Sequence, residues 1–495
     1  MFTIIDNVII THSPPWYRTA SSQTVALGIV FFWVFSAYTT IQFYARSTYG
    51  SSLASSSISA VYLTFTLTSL ISSCIINKYG CRLCLFIGVL GYASLVLTSL
   101  IYFIYGGEDV IWSKRLVVLG GATLGIGASL LWTAQGRLIL QYSEREEELN
   151  GTTTNRTNET QTKTGKLMGI FWAIFQCSSL VGGAVSFTYY NKQPKGSTLL
   201  YVLFLAFIII GALCTQLLLP PTMLQVNTDV EMISNEQTPL TSNKMITRED
   251  NTITMKEDLS NLSWKEEAHG TMQMVLSKRV LLLSPLFFYT GYAQPYQQGT
   301  FSRFFTKRSI GVELIIFHLM EIIGALMTGR FLDSVGKVAS DSSRRKRAIL
   351  CLVAFVLINS TGNALAFKEE HAAQYSINGT AHDISNISVI SPSLAFACWG
   401  FADAQIQVYC YWLMSGIYTS GSDHSRIVGL YKCIQSLGTA IGFYLIPASR
   451  LSEMSQLMFS SLVFVVGAVL SFSQLPTFVN IDQLLSDPIM VSKHC

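Results

Sequence analysis

Long apolar runs alternate with short polar stretches along almost the whole chain. Runs of spanning length fall at about 23–45, 57–76, 83–105, 115–141, 166–190 and 197–219, and again at 279–298, 310–333, 347–367, 392–418, 424–448 and 454–476. A helix needs about 20 such residues to cross the hydrocarbon core of a bilayer. Six runs, a break and six more predict an all-α polytopic membrane protein, with twelve transmembrane helices in two six-helix bundles at 23–219 and 279–476. The break, 220–278, opens with Pro220-Pro221 and is rich in Asn, Thr, Ser, Glu and Lys, which predicts a mostly disordered cytosolic linker. Near its end Ser263 and Glu266 have the spacing of a capping box, and Trp264, Met272 and Met274 suit a short helix lying along the membrane surface.

Composition agrees with this pattern and removes alternatives. Charged side chains make up 13% of the 495 residues, against roughly a quarter in a soluble domain, and the mean hydropathy is +0.41. The net charge of +4 implies no nucleic-acid partner. The segment 220–278 holds 14 of the charges and 142–166 holds 9, so the spans themselves are nearly bare. Most of the ten cysteines lie within or beside apolar runs, and Cys81 and Cys84 form a lone C-x-x-C with no second pair or nearby His, which argues against a metal or redox site.

Lysine and arginine near the span ends set the expected orientation. With residues 1–22 and 477–495 as cytosolic tails, the loop 334–346 (Lys337, Arg344, Arg345, Lys346) and the turn carrying Lys78 and Arg82 fall inside. The more acidic loop 368–391 falls outside, carrying the sequons at Asn378 and Asn386 into a glycosylating compartment. Residence in the plasma membrane or an endomembrane is compatible with this.

The two halves echo each other. Gly329-Arg-Phe-Leu-Asp333-Ser-Val-Gly336-Lys337 follows the eighth span, and a degraded copy, Asn77-Lys-Tyr-Gly80-Cys-Arg82, follows the second. Phe175-Gln176 and Ile434-Gln435 repeat at nearly the same offset. Glycine permits a tight turn there, and a following cation suits both helix C-terminal carbonyls and the cytosolic side. Echoes in step argue for a parallel six-plus-six repeat; the competing reading is a chance turn between hydrophobic helices.

Three stretches are more particular: Phe35-Ser-Ala-Tyr-Thr-Thr-Ile-Gln42 with the second span, Trp132-Thr-Ala-Gln135-Gly136 with Ile170-Phe-Trp-Ala-Ile-Phe-Gln176, and Gly400-Phe-Ala-Asp403-Ala-Gln-Ile-Gln407 with Gly429-Leu-Tyr-Lys432-Cys-Ile-Gln435. Together they resemble the Unc-ninety-three-like family of the major facilitator superfamily, over roughly 23–219 and 279–450. The chain departs from that pattern at Ile406-Gln407 and at Arg137. The resemblance implies a twelve-helix membrane protein without a catalytic centre, acting as a regulator of a potassium channel or as a trafficking chaperone for a membrane receptor.

Ionisable residues at membrane depth are costly, so those present are the first candidates for function. Asp403 lies well inside the tenth span with Gln407 nearby, and Lys432 in the eleventh is the expected ion-pair partner. A cavity or gating role for Asp403 competes with a structural interhelical pair. His318 and Glu321 share a helix face, which suits either a proton relay or a packed polar contact. Gln135, Gln176, Gln407 and Gln435 could line the same cavity or bond between helices. There is no G-x-S-x-G, H-E-x-x-H or P-loop, so no catalytic residue, metal or cofactor is expected. Besides the lipid bilayer and a channel or receptor, the remaining partner class is a small solute, should the protein be a secondary transporter.

Overall fold

A computed structural model describes residues 15–105, 110–153, 163–190, 198–225, 263–334, 341–375, 381–418, 420–446 and 450–475. The chain is all-α among these residues. The first six helices are α1 (Ala20–Tyr49), α2 (Ser51–Tyr79), α3 (Cys81–Tyr105), α4 (Ile111–Thr153), α5 (Thr164–Tyr190) and α6 (Thr198–Cys214). Within the end of the linker lies α7 (Trp264–Val275), followed by α8 (Lys278–Gln294), α9 (Lys307–Asp333), α10 (Asp341–Tyr375), α11 (Ile390–Ile417), α12 (Gly421–Leu445) and α13 (Glu453–Phe472). Nine of them, all except α5, α7, α8 and α12, are long and apolar enough to cross a membrane, judged on the described residues. Each of the twelve apolar runs falls on a helix, and α7 lies outside them.

Several helices outrun the apolar pattern. Helix α4 extends to Thr153 and α10 begins at Asp341, because polar residues continue a helix whose hydrophobic part alone marks a span. Helix α8 departs in the other direction: beyond Gln294 it passes through a π-helical turn, Pro295–Thr300, and a 3-10 turn, Phe301–Phe304. Proline cannot donate the backbone bond that an α-helix needs there. Of the expected linker, 220–225 and 263–278 are described, the Gln225 N–H bonding to the Arg18 carbonyl; the stretch 226–262, on which the expectation of disorder chiefly falls, lies outside the described residues. The capping box is formed: the Ser263 hydroxyl accepts from the first turn of α7 while its own N–H bonds to Glu266 Oε2 at 2.9 Å.

Helices α1 to α6 pack on one another, as do α8 to α13, and the two groups meet chiefly through α5 against α9 and α2 against α12. Glycine sets the α5–α9 spacing. A Cβ on Gly169 would stand 2.6 Å from the Ala325 carbonyl oxygen, so the two backbones touch. A phenylalanine and tryptophan cluster, Phe31, Phe35, Trp132, Phe171 and Phe175, fills the space between α1, α4 and α5 with edge-to-face contacts at ring distances of 4.9–6.1 Å. On the side away from α7, Arg303 pairs with both Glu370 and Glu453 and closes α10 and α13 against the end of α8.

Candidate functional site

Helices α9, α11 and α12 bring most of the candidate polar residues together. Glu321, 1% exposed, lies between His318 and Asp403: His318 Nδ1 is 2.7 Å from Glu321 Oε2, and the Asp403 carboxyl stands close beside it. The close approach follows from small residues. Gly324 faces the Phe401 carbonyl and Gly400 faces the Phe317 carbonyl, so α9 and α11 meet backbone to backbone beside the two acids.

From Asp403 the hydrogen bonds run on through amides. Gln407 Nε2 donates to Asp403 Oδ2 (3.2 Å), and Gln407 Oε1 accepts from the Tyr431 hydroxyl (3.0 Å) and from Gln435 Nε2 (3.4 Å). Gln435 also bonds Thr290 of α8 (3.1 Å), while its Oε1 accepts from Lys432 Nζ (2.8 Å). The expected Asp403–Lys432 ion pair is therefore not a direct contact; two glutamines separate the charges. Lys432 turns instead to aromatic faces, its ammonium 4.4 Å from the Trp132 ring centroid and 4.8 Å from that of Tyr431. Trp132 belongs to α4, so this cation–π contact joins the two helix groups. Gln135 and Gln176 are buried on α4 and α5, and among the described residues no hydrogen bond links them to this chain of polar groups.

The repeated loop motif forms a second polar region, on the face that carries α7. Gly80 takes φ +82 and joins α2 directly to α3, a conformation open to glycine at no steric cost. Arg82 is exposed and bonds the Gln216 carbonyl at 2.7 Å. Asp333 reaches across to the other helix group, where its Oδ2 accepts from the Lys166 N–H at the start of α5 (2.5 Å). A carboxylate there satisfies a free helix donor and suits the positive end of the helix dipole. Its counterpart Asn77 reaches across in the opposite sense, accepting from Ser425 Oγ at the start of α12 (2.6 Å), and within its own group accepts from Arg137 Nη1 of α4 (2.7 Å). Gly329 lies in the α5–α9 contact, where Gly165 meets its carbonyl. Gly336 and Lys337 lie outside the described residues, as does Asn378; Asn386 is exposed.

Sequence reasoning missed Glu267 and Arg426, which complete this second region. Glu267 stands outside the apolar runs, and Arg426 sits at the very start of one, 424–448. The available signal was Asn77 and Arg137, two polar groups at the end of apolar helices that needed partners.

The described helices, their two groups and the pairing of α2 with α12 and α5 with α9 define a multi-pass membrane protein of the major facilitator fold. Solved structures agree on the fold: the proton:xylose symporter XylE has a TM-score of 0.62 at 12% identity, covering 94% of this chain and 97% of that one. The transporter FucP in its outward conformation has a TM-score of 0.59 at 11% identity, covering 93% and 100%. The family described as "Ion channel regulatory protein UNC-93" matches residues 54–473, and the chain belongs to that family. Among curated relatives, a UNC93-like protein of Schizosaccharomyces pombe is 24% identical over 395 residues, 78% of this chain and 68% of that one. UNC93-like protein 1 of Arabidopsis thaliana is 24% identical over 413 residues, 81% and 77%. A Caenorhabditis elegans protein named for potassium channel regulation, unc-93, is 28% identical over 171 residues, 34% of this chain and 22% of its own.

Proposed function

We propose that the protein is a non-catalytic membrane subunit that regulates an ion channel or escorts a membrane receptor to its destination. The observation that carries this reading is the family match across 54–473. The relative named for potassium channel regulation points the same way. On this reading α5, α8 and α12 join the nine long apolar helices as spans, making twelve in two bundles at 23–219 and 279–476. The linker face is cytosolic by the positive-inside rule.

A second reading, secondary transport of a small solute or ion by alternating access, is favoured by the polar chain from His318 to Lys432. Such a chain inside an apolar bundle is costly to keep unless it serves a path or a site. Affinity purification from native membranes followed by mass spectrometry separates the two. Stable co-purification with a channel or receptor, with no solute uptake in liposomes across a broad panel, supports regulation. Uptake that Asp403→Asn abolishes overturns regulation as the primary role and supports transport.

A further inference from the structure

Helix α7 belongs to neither helix group, yet one of its side chains holds both. Glu267 is 3% exposed. Its Oε1 accepts from Arg426 Nη2 at 3.0 Å, and its Oε2 accepts from Asn77 Nδ2 at 2.8 Å and Arg426 Nε at 3.3 Å. Asn77 lies on α2 of the first group and Arg426 on α12 of the second. The same two helices meet directly through Ser425 and Asn77, and Asp423 steadies the guanidinium at 2.8 Å from Nη1. The carboxylate is thus a bidentate acceptor for arginine and an acceptor for an amide from the opposite half. That geometry makes strong, directional, charge-assisted bonds.

The rest of α7 is built to lie flat on this joint. Glu267, Thr271 and Met274 form its buried face. Gly270 lets the helix come down on Arg426: a Cβ there would stand 2.8 Å from the guanidinium carbon. Trp264, Ala268, Met272 and Leu276 are exposed along an adjacent stripe, and Lys78 of α2 places its ammonium 4.8 Å from the Trp264 ring centroid. Against the helix groups α7 buries Thr271 and Met274 beside Glu267, and the Glu267 bonds are its directional tie to both of them. Segments of this kind open locally without unfolding the whole.

We propose that α7 is a releasable strap that locks the two helix groups together on the linker face through Glu267. Parting α2 from α12 on that face must break either the Asn77 bond or the Arg426 bonds, so release of α7 sets how readily the face opens. The strap acts alike whether the protein regulates a channel or carries a solute, because it controls the shape of the fold and not the chemistry of the interior.

The test is hydrogen exchange with mass spectrometry on the full chain in liposomes, comparing wild type with Glu267→Gln, which keeps the shape and removes the charge. Exchange is expected to rise tenfold or more over 69–79 of α2 and 421–430 of α12, while 51–58 and 440–445, at the far ends of the same helices, keep their wild-type rates. Unchanged exchange at 69–79 and 421–430 overturns the proposal. A rise of equal size at both ends of the helices also overturns it, since that is general loosening. If Glu267→Gln does not accumulate, Gly270→Leu is read by the same criteria; it leaves the carboxylate intact and forces the Arg426 guanidinium away from it.

Discussion

Two glycines on one helix make a matched experiment. Both Gly311 and Gly324 lie within α9. A Cβ added to Gly311 meets nothing within 4 Å, whereas on Gly324 it would stand 2.6 Å from the Phe401 carbonyl oxygen and 3.3 Å from its carbonyl carbon. Gly311→Ala therefore adds only helix propensity, about 0.8–1 kcal/mol of stabilisation. Gly324→Ala has the same propensity gain but places carbon well inside the roughly 3.5 Å at which non-bonded atoms rest. The obstacle is backbone, so α11 itself must move, and overpacking of this kind costs about 1–3 kcal/mol. After the propensity gain the net change runs from near zero to about 2 kcal/mol destabilising. The two alanines should thus differ by about 1–3 kcal/mol on one helix. Thermal unfolding of the purified protein in one detergent, followed by tryptophan fluorescence, reads the difference directly. Gly311→Ala should raise the midpoint and Gly324→Ala should hold it level or lower it. The double variant Gly324→Ala with Gly400→Ala should lose less than the sum, because either alone already separates the helices. A rise for Gly324→Ala equal to that for Gly311→Ala would refute the close α9–α11 contact, and with it the geometry that joins Glu321 to Asp403.

Lys432 is 3% exposed and among the described residues has no carboxylate within 4 Å. Lys432→Met keeps the stem and discards the buried charge, so the thermal midpoint should hold or rise, with a gain on the order of 1–3 kcal/mol; a fall of several degrees would show that the contacts with Trp132 and Gln435 outweigh the desolvation. In glycosylation-competent cells Asn386→Gln and Asn378→Gln should each abolish a glycan shift on gels if the loop 368–391 faces outside, while Asn155→Gln, in the sequon Asn155-Arg-Thr157 of the segment 142–166 expected on the cytosolic side, should change nothing; a shift lost only with Asn155→Gln would reverse the orientation.

The helices were largely legible in advance because the bilayer imposes one rule on every span: backbone groups must be satisfied within the helix and side chains must be apolar. Twelve runs and the capped start of α7 could therefore be read one segment at a time. The partners of the polar groups could not. Asp403 and Lys432 stand one helix apart in sequence, and pairing them was reasonable, but the rotation of α11 directs Asp403 to Glu321 of α9 and leaves Lys432 to Trp132 of α4. Helix rotation depends on which neighbours allow close approach, and here Gly324 and Gly400 decide it. The π-helical turn after α8 begins at Pro295, inside the run read as 279–298, so the hydrophobic pattern alone does not end the helix there. Glu267 escaped notice for a different reason. In a linker of 14 charges it looked like one more solvated acid, and only the position of α7 across α2 and α12 makes it buried.

The Asn77 junction also has a history in time. Its Arg137 partner follows it by 60 residues, Glu267 by 190 and Ser425 by 348. At roughly 5–20 residues per second of synthesis, Asn77 waits on the order of 10–40 s for Glu267, and about 20–70 s for Ser425. Throughout that interval the first half holds Asn77 and Arg137 bonded to each other but without their partners from α7 and α12. The ribosome completes this joint late, so truncations before α12 should leave a membrane-inserted half whose exposed polar edge marks it for quality control.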